Sequence, residues 1–201
     1  MTARSTPYPP AGYHVRMAAA VWASALDEVR SYAERGVVDG HRGSEGLVYL
    51  AGVPAADELV VTAVFRLRHA PQGDRVAPTR QEVRWLLSTL RQRDEKLVAQ
   101  LHTHRHGARH SPGDDRMATS FHDGFLSIVA PNFAIGVDSI DQCIVHEYRS
   151  GSFRVLSVGE VTKRFIVQPE VVDRLKDSDS EELSRWCRFV QRLKSIAHGR
   201  R

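Results

Sequence analysis

Gln100–Arg116 reads QLHTHRHGARHSPGDDR, and the rest of the chain is organised around it. The residues leading into it, Lys96–Leu101 (KLVAQL), are short, partly apolar and free of Gly and Pro, which predicts a strand. Continued through His104, that strand puts His102 and His104, at i and i+2, on one face and Thr103 on the other. Two neighbouring imidazoles at a strand end supply half of a tetrahedral zinc site, and Ser111-Pro-Gly-Asp114 offers a carboxylate a short loop away. A fourth position left to water distinguishes a catalytic zinc from a structural one. A His-x-His alone is more often two solvated side chains, or chance, than a pair of ligands. Ser111-Pro112-Gly113-Asp114 alone reads as a helix start, with Ser at the N-cap, Pro at the first position and a carboxylate near the third. The two readings are compatible, because a cap also fixes where its neighbours point.

Upstream, Gly46–Gly52 and Leu59–Leu67 (LVVTAVFRL) read as two strands joined by a turn through Pro54 and Asp57. That hairpin places Glu45 at one open end of a sheet. Before it, Met17–Arg35 carries Val21, Ala25, Val29 and Ala33 at helical spacing, flanked by Trp22 and Leu26 and stopped by Gly36. Residues 1–16 are expected to be a flexible tail, Thr/Ser/Pro-rich over Met1–Gly12, and Val37–Gly43 a polar connector. After a loop from His69 to Pro78, Thr79-Arg-Gln-Glu82 is a capping box. It opens a helix to about Arg93, with Val83, Leu86, Leu87 and Leu90 on its inner face.

Beyond the histidines, a short helix is expected over Pro112–Phe121 and a buried strand over Phe125–Ala130. Gln142–Tyr148 and Phe153–Leu156 flank Ser150-Gly151 as a second hairpin, and Lys163–Val167 adds an edge strand stopped by Pro169. Asp179-Ser180 starts a last helix with Leu183, Trp186, Cys187, Val190 and Leu193 on one stripe, within a helical extension over 169–201 expected to dock that stripe on the sheet, with an oligomer face as the minor alternative. The expected architecture is α+β, or three-layer α/β/α, with a mixed, antiparallel-rich sheet flanked by helices. The main domain spans 17–168.

A length of 201 residues with 42% hydrophobic and 26% charged content suits one soluble domain with an appendage. The formal charge of +4 shows no clustered stripe, so no specific nucleic acid is expected. Cys143 and Cys187 make no C-x-x-C, which points to a reduced cytoplasmic protein with buried thiols. No apolar run approaches a membrane span and no signal-peptide core opens the chain.

Glu45-Gly-Leu-Val-Tyr-Leu-Ala-Gly52, then His102-Thr-His104, then Ser111-x-x-Asp114 together resemble the signature of the JAMM (JAB, or MPN+) zinc metalloproteases. The resemblance covers roughly Ala18 to Arg164 in order of elements and implies a JAB/MPN fold, whose sheet is cytidine-deaminase-like. It implies zinc on His102, His104 and Asp114, with Glu45 as the proton shuttle and Ser111 as donor to the oxyanion. It further implies a peptidase or isopeptidase acting on the C-terminal tail of a ubiquitin-like or sulfur-carrier protein, beside activating and conjugating enzymes. Arg105 stands where the family usually has proline, and the loop from His104 to Ser111 is one residue short. Asp115 therefore falls at the family's usual distance from His104. Ser-x-x-Asp favours Asp114, with Asp115 about a hundred degrees round the same turn. A set using His106 in place of His102 is the minor alternative. His110 is expected to flank the site, and His41, His69, His122 and His146 are expected to be ordinary polar residues. Arg105, Arg109 and Arg116 would make a basic rim. A non-catalytic MPN-type scaffold is the alternative function, against which the intact ligand set counts. A zinc nucleobase deaminase would need Pro-Cys-x-x-Cys, which this chain lacks, and an amidohydrolase barrel needs roughly 250 residues.

Overall fold

The computed structural model describes residues 12–35, 37–38, 41–66, 78–110 and 112–169. The helix expected after Asp179 lies outside them, as do the loop around Pro71 and Gly73, and Ser111. Eight strands form one sheet. In chain order they are β1 (His14–Ala18), β4 (Leu47–Ala55), β5 (Glu58–Arg66), β6 (Lys96–Thr103), β7 (Leu126–Ala130), β8 (Ile144–Arg149), β9 (Ser152–Val155) and β10 (Phe165–Gln168). β2 (Val37–Val38) and β3 (His41–Arg42) make a separate two-residue ladder inside the expected connector. The order across the sheet is β10-β1-β5-β4-β6-β7-β8-β9. β10–β1, β1–β5 and β6–β7 are parallel and the other pairs antiparallel, so the sheet is mixed and antiparallel-rich, as expected.

Alternation along β4 separates two apolar layers. Val48 and Leu50 face α1 (Ala19–Arg35), where they meet Trp22, Ala25, Leu26 and Val29 with Val15, Met17, Leu59, Leu101 and Ile128. Leu47, Tyr49 and Ala51 face α2 (Arg80–Gln92) through Leu86 and Leu90, with Phe65, Leu97 and Phe125. Helices on both faces of one sheet make this the three-layer α/β/α arrangement of the α+β class. Thr79 caps α2 with the expected reciprocal bonds, Glu82 N–H to Thr79 Oγ1 at 3.2 Å and Thr79 N–H to Glu82 Oε2 at 2.9 Å.

Several boundaries differ from expectation. His14–Ala18 is a strand between β5 and β10, so the expected tail ends earlier and the helix begins at Ala19 rather than Met17. Val15 and Met17 are both fully buried there. Pro54 lies inside β4, beyond the last residue paired with β6, so its missing N–H costs no ladder bond; the turn is Ala56-Asp57. Leu87 is 44% exposed rather than inward. α3 (Pro112–Met117) stops four residues before Phe121. A fourth helix, α4 (Val158–Arg164), precedes β10, capped by Ser157 and Glu160, a second S-x-x-E box. No helix among the described residues is long and apolar enough to cross a membrane.

Candidate metal centre

The site lies where the C-terminal end of β6 meets the segment leading into β4. A Cβ on Gly46 would stand 2.4 Å from the Val29 carbonyl oxygen of α1, so only glycine lets this backbone pass beneath that helix. Gly46 N–H donates to Thr103 Oγ1 at 2.8 Å, and Gly46 C=O accepts from Thr103 N–H at 3.0 Å. Thr103, on the face away from the histidines, thereby clamps the backbone next to Glu45. Glu45 is half-buried, and its charge helps to raise the pKa of His104.

His104 follows the last residue of β6 and is held through its backbone. Its N–H donates to Ala130 C=O at 3.0 Å and its C=O accepts from Phe133 N–H at 2.9 Å. Asn132, Phe133 and Ala134 all have φ between 51° and 62°. Three successive side-chain-bearing residues in the left-handed region cost about 1–2 kcal/mol each. Arg30 Nε binds Ala134 C=O at 3.0 Å and helps to hold this turn.

The two histidine rings are 5.1 Å apart. Asp114 Oδ1 lies 3.6 Å from His102 Nε2, and Asp114 Oδ2 lies 3.4 Å from His104 Nε2. Ligand atoms on a tetrahedral zinc with bonds of about 2.0–2.1 Å stand about 3.4 Å apart, so the spacing fits an ion among them. His102 is 8% exposed, and neither of its ring nitrogens makes a hydrogen bond. Burial is the main reason its pKa falls to about 3, against a smaller upward pull from Asp114. It is thus neutral at pH 7, the form that coordinates a metal. His104 is raised instead, first by its hydrogen bond to Asp114. Two imidazoles and a carboxylate are the donor set of a three-ligand zinc site. His102, His104 and Asp114 are the metal-competent group among the described residues.

Asp115, the rival ligand, is engaged elsewhere: its Oδ1 is 2.6 Å from His110 Nδ1. His106, Arg105 and Arg109 are exposed. His110 and His146 are more than the sequence suggested. Their rings stack at 4.2 Å and 21°, with His146 only 4% exposed, and His110 Nε2 is 2.9 Å from Ser127 Oγ. Burial, followed by the charge of His110, lowers the pKa of His146 to about 4. Burial also lowers His122 to about 4 and pushes the Cys143 thiol up to about 12.

No protein-family model matches the chain. Protein DSY2949 from Desulfitobacterium hafniense shares the fold at a TM-score of 0.55 and 15% identity, over 80% of this chain and 97% of that one. A JAB1/MPN domain protein from Archaeoglobus fulgidus is more distant, at a TM-score of 0.41 and 11% identity over 75% and 98%. The curated protein "Probable metalloprotease y4jG" from Sinorhizobium fredii is 34% identical over 125 residues, covering 55% of this chain and 77% of its own length. With Glu45, His102, His104 and Asp114 in the order of the JAMM signature, and that degree of identity to a probable metalloprotease, the chain belongs to the JAMM (JAB/MPN) family.

Proposed function

We propose that the chain is a zinc-dependent peptidase or isopeptidase that cuts at the C-terminal tail of a ubiquitin-like or sulfur-carrier protein. The observation that carries the hydrolase reading is the convergence of His102, His104 and Asp114, with a buried histidine whose nitrogens have no hydrogen bond. Zinc, when bound, makes water acidic enough to serve as nucleophile near neutral pH. Glu45 accepts a proton from the attacking water and delivers it to the leaving amine, a double task that suits a carboxylate. Ser111, outside the described residues, takes the family's role of hydrogen-bond donor to the oxyanion, a contact worth about 3–4 kcal/mol where such donors have been removed. Exposed Arg105 and Arg109 add a positive rim that favours a substrate with nearby acidic groups or a free carboxylate.

The test uses a ubiquitin-like or sulfur-carrier protein with a C-terminal fusion and identifies the released ends by mass spectrometry. Glu45→Gln keeps shape and zinc but removes the proton acceptor, so turnover should fall by about 10²–10⁴. Full turnover in Glu45→Gln removes that residue from the mechanism. Stoichiometric zinc retained by the double variant His102→Ala/His104→Ala refutes the site, and no cleavage of any such fusion by the wild type refutes the substrate class.

A further inference from the structure

One transverse row of side chains crosses the α2 face of the sheet, one step below His102. The register pairs Tyr49 with Gln100, Gln100 with Ser127, and Ser127 with His146, so four adjacent strands each contribute one polar-tipped side chain to it. The segment carrying Asp114 is tied to this row on both sides of α3. Before the helix, His110 Nε2 meets Ser127 Oγ at 2.9 Å. After it, Thr119 N–H donates to Gln100 Oε1 at 3.4 Å and Thr119 Oγ1 lies 2.5 Å from Tyr49 Oη. Gln100 Nε2 donates to Ser127 Oγ at 3.0 Å and joins the two ties.

The proton order is self-consistent. His110 Nδ1–H donates to Asp115, Ser127 O–H donates to His110 Nε2, and Ser127 Oγ accepts from Gln100. Asp115, His110 and Ser127 thus have the connectivity of a hydrolytic triad, yet Ser127 is fully buried and no substrate reaches it. The group holds something else in place. His110 is wedged between the stacked His146 ring and the Phe153 ring, 5.0 Å away, and its ring centre is 5.7 Å from that of His102. Successive residues of a helix point about 100° apart. Anchoring Asp115 to this buried ring therefore sets the rotation of α3, and with it the direction of Asp114.

We propose that Asp115, His110, Ser127 and Gln100 are a positioning relay that aims Asp114 at His102 and His104, an inference that rests on the metal-centre reading. Zinc affinity by chelator competition, the visible spectrum of the cobalt(II) form and the melting temperature of the metal-free protein separate this role from mere packing. Asp115→Ala and His110→Ala should weaken zinc binding about 10–100-fold and alter the cobalt bands. Asp115→Asn, which keeps the acceptor oxygen, should restore both. A purely structural contact would lower the metal-free melting temperature and leave the affinity and spectrum of the folded fraction unchanged; that result overturns the relay. Should His110→Ala fail to fold, the more exposed Asp115 carries the test alone. Zinc uptake by the wild type with unaltered uptake by Asp115→Ala refutes the relay only. No uptake by the wild type refutes the metal centre and the relay together.

Discussion

Two buried polar clusters sit on opposite faces of the sheet, and they are built on opposite plans. On the α1 face, Glu147 is fully buried but receives Arg164 Nη1 at 2.6 Å and Arg154 Nη2 at 2.7 Å, while Arg164 Nε binds Tyr13 C=O at 3.0 Å. Burial alone would raise the Glu147 pKa, and the two arginines more than reverse it, so the carboxyl titrates below its ordinary range. On the α2 face, His102 is almost as deeply buried and neither ring nitrogen makes a hydrogen bond. The first cluster meets both oxygens of its buried carboxylate from within the protein, leaving Arg164 Nη2 without a hydrogen bond. The second leaves both nitrogens of a buried ring without a hydrogen bond, beside the second imidazole and the carboxylate of a group with the donors to hold an ion.

The largest effect that tests this contrast is on the Glu147 cluster. Arg164→Ala strips Glu147 of its most deeply buried partner and should cost about 3–5 kcal/mol in a denaturant titration, with zinc affinity of the folded protein intact. A loss below about 1 kcal/mol would mean that Arg154 suffices.

Next in size is the response of the metal-free protein to acid. The folded pKa of His146, about 4, lies below its unfolded value of 6.5, so the unfolded chain takes up the proton first. Stability is then full above pH 6.5 and is lost as pH falls towards 4, by an amount on the order of 1–3 kcal/mol. Melting temperatures over that interval should show the slope, and His146→Gln should reduce it by one share, with His102 and His122, lowered to about 3 and about 4, supplying the rest. An identical slope in His146→Gln assigns the acid sensitivity to other groups.

The smallest effect is the sharpest in sign. His102→Leu should abolish metal uptake yet raise metal-free stability by about 1 kcal/mol, because it removes a buried polar group that lacks hydrogen bonds. Destabilisation there would show that the His102 ring is held by its protein surroundings as well as by an ion.

Much of this was legible from local patterns. The capping box at Thr79 and Glu82, the hairpin at Ser150-Gly151 and the apolar runs of β4 to β7 are short-range signals, and the structure carries all of them. The His-x-His pair with Asp114 was legible because its spacing is itself local. β1 was not, since HVRMA becomes a strand by pairing with two distant segments, Glu58–Val60 on one side and Phe165–Gln168 at the far end of the described chain on the other. α4 had its own S-x-x-E start, offset by Gly159 within it and by a length of only seven residues. His110, Ser127 and His146 carry no motif; a sheet register that no single stretch encodes brings them together. Gln100 gave a faint signal, as a polar residue two before His102 in an otherwise apolar strand.

The β10–β1 seam has a kinetic consequence. The contact between Tyr13 and Arg164 closes a span of 151 residues, whereas the Gly46–Thr103 bond beside the metal centre closes one of 57. The longer closure costs about 0.9 kcal/mol more in chain entropy. The strands around the histidines can therefore pair before the seam does, and the seam can open while they stay paired. In native-state hydrogen exchange, the amides of the edge strand β10 should then exchange ahead of those of β4 and β6, so the centre outlasts that edge of the sheet.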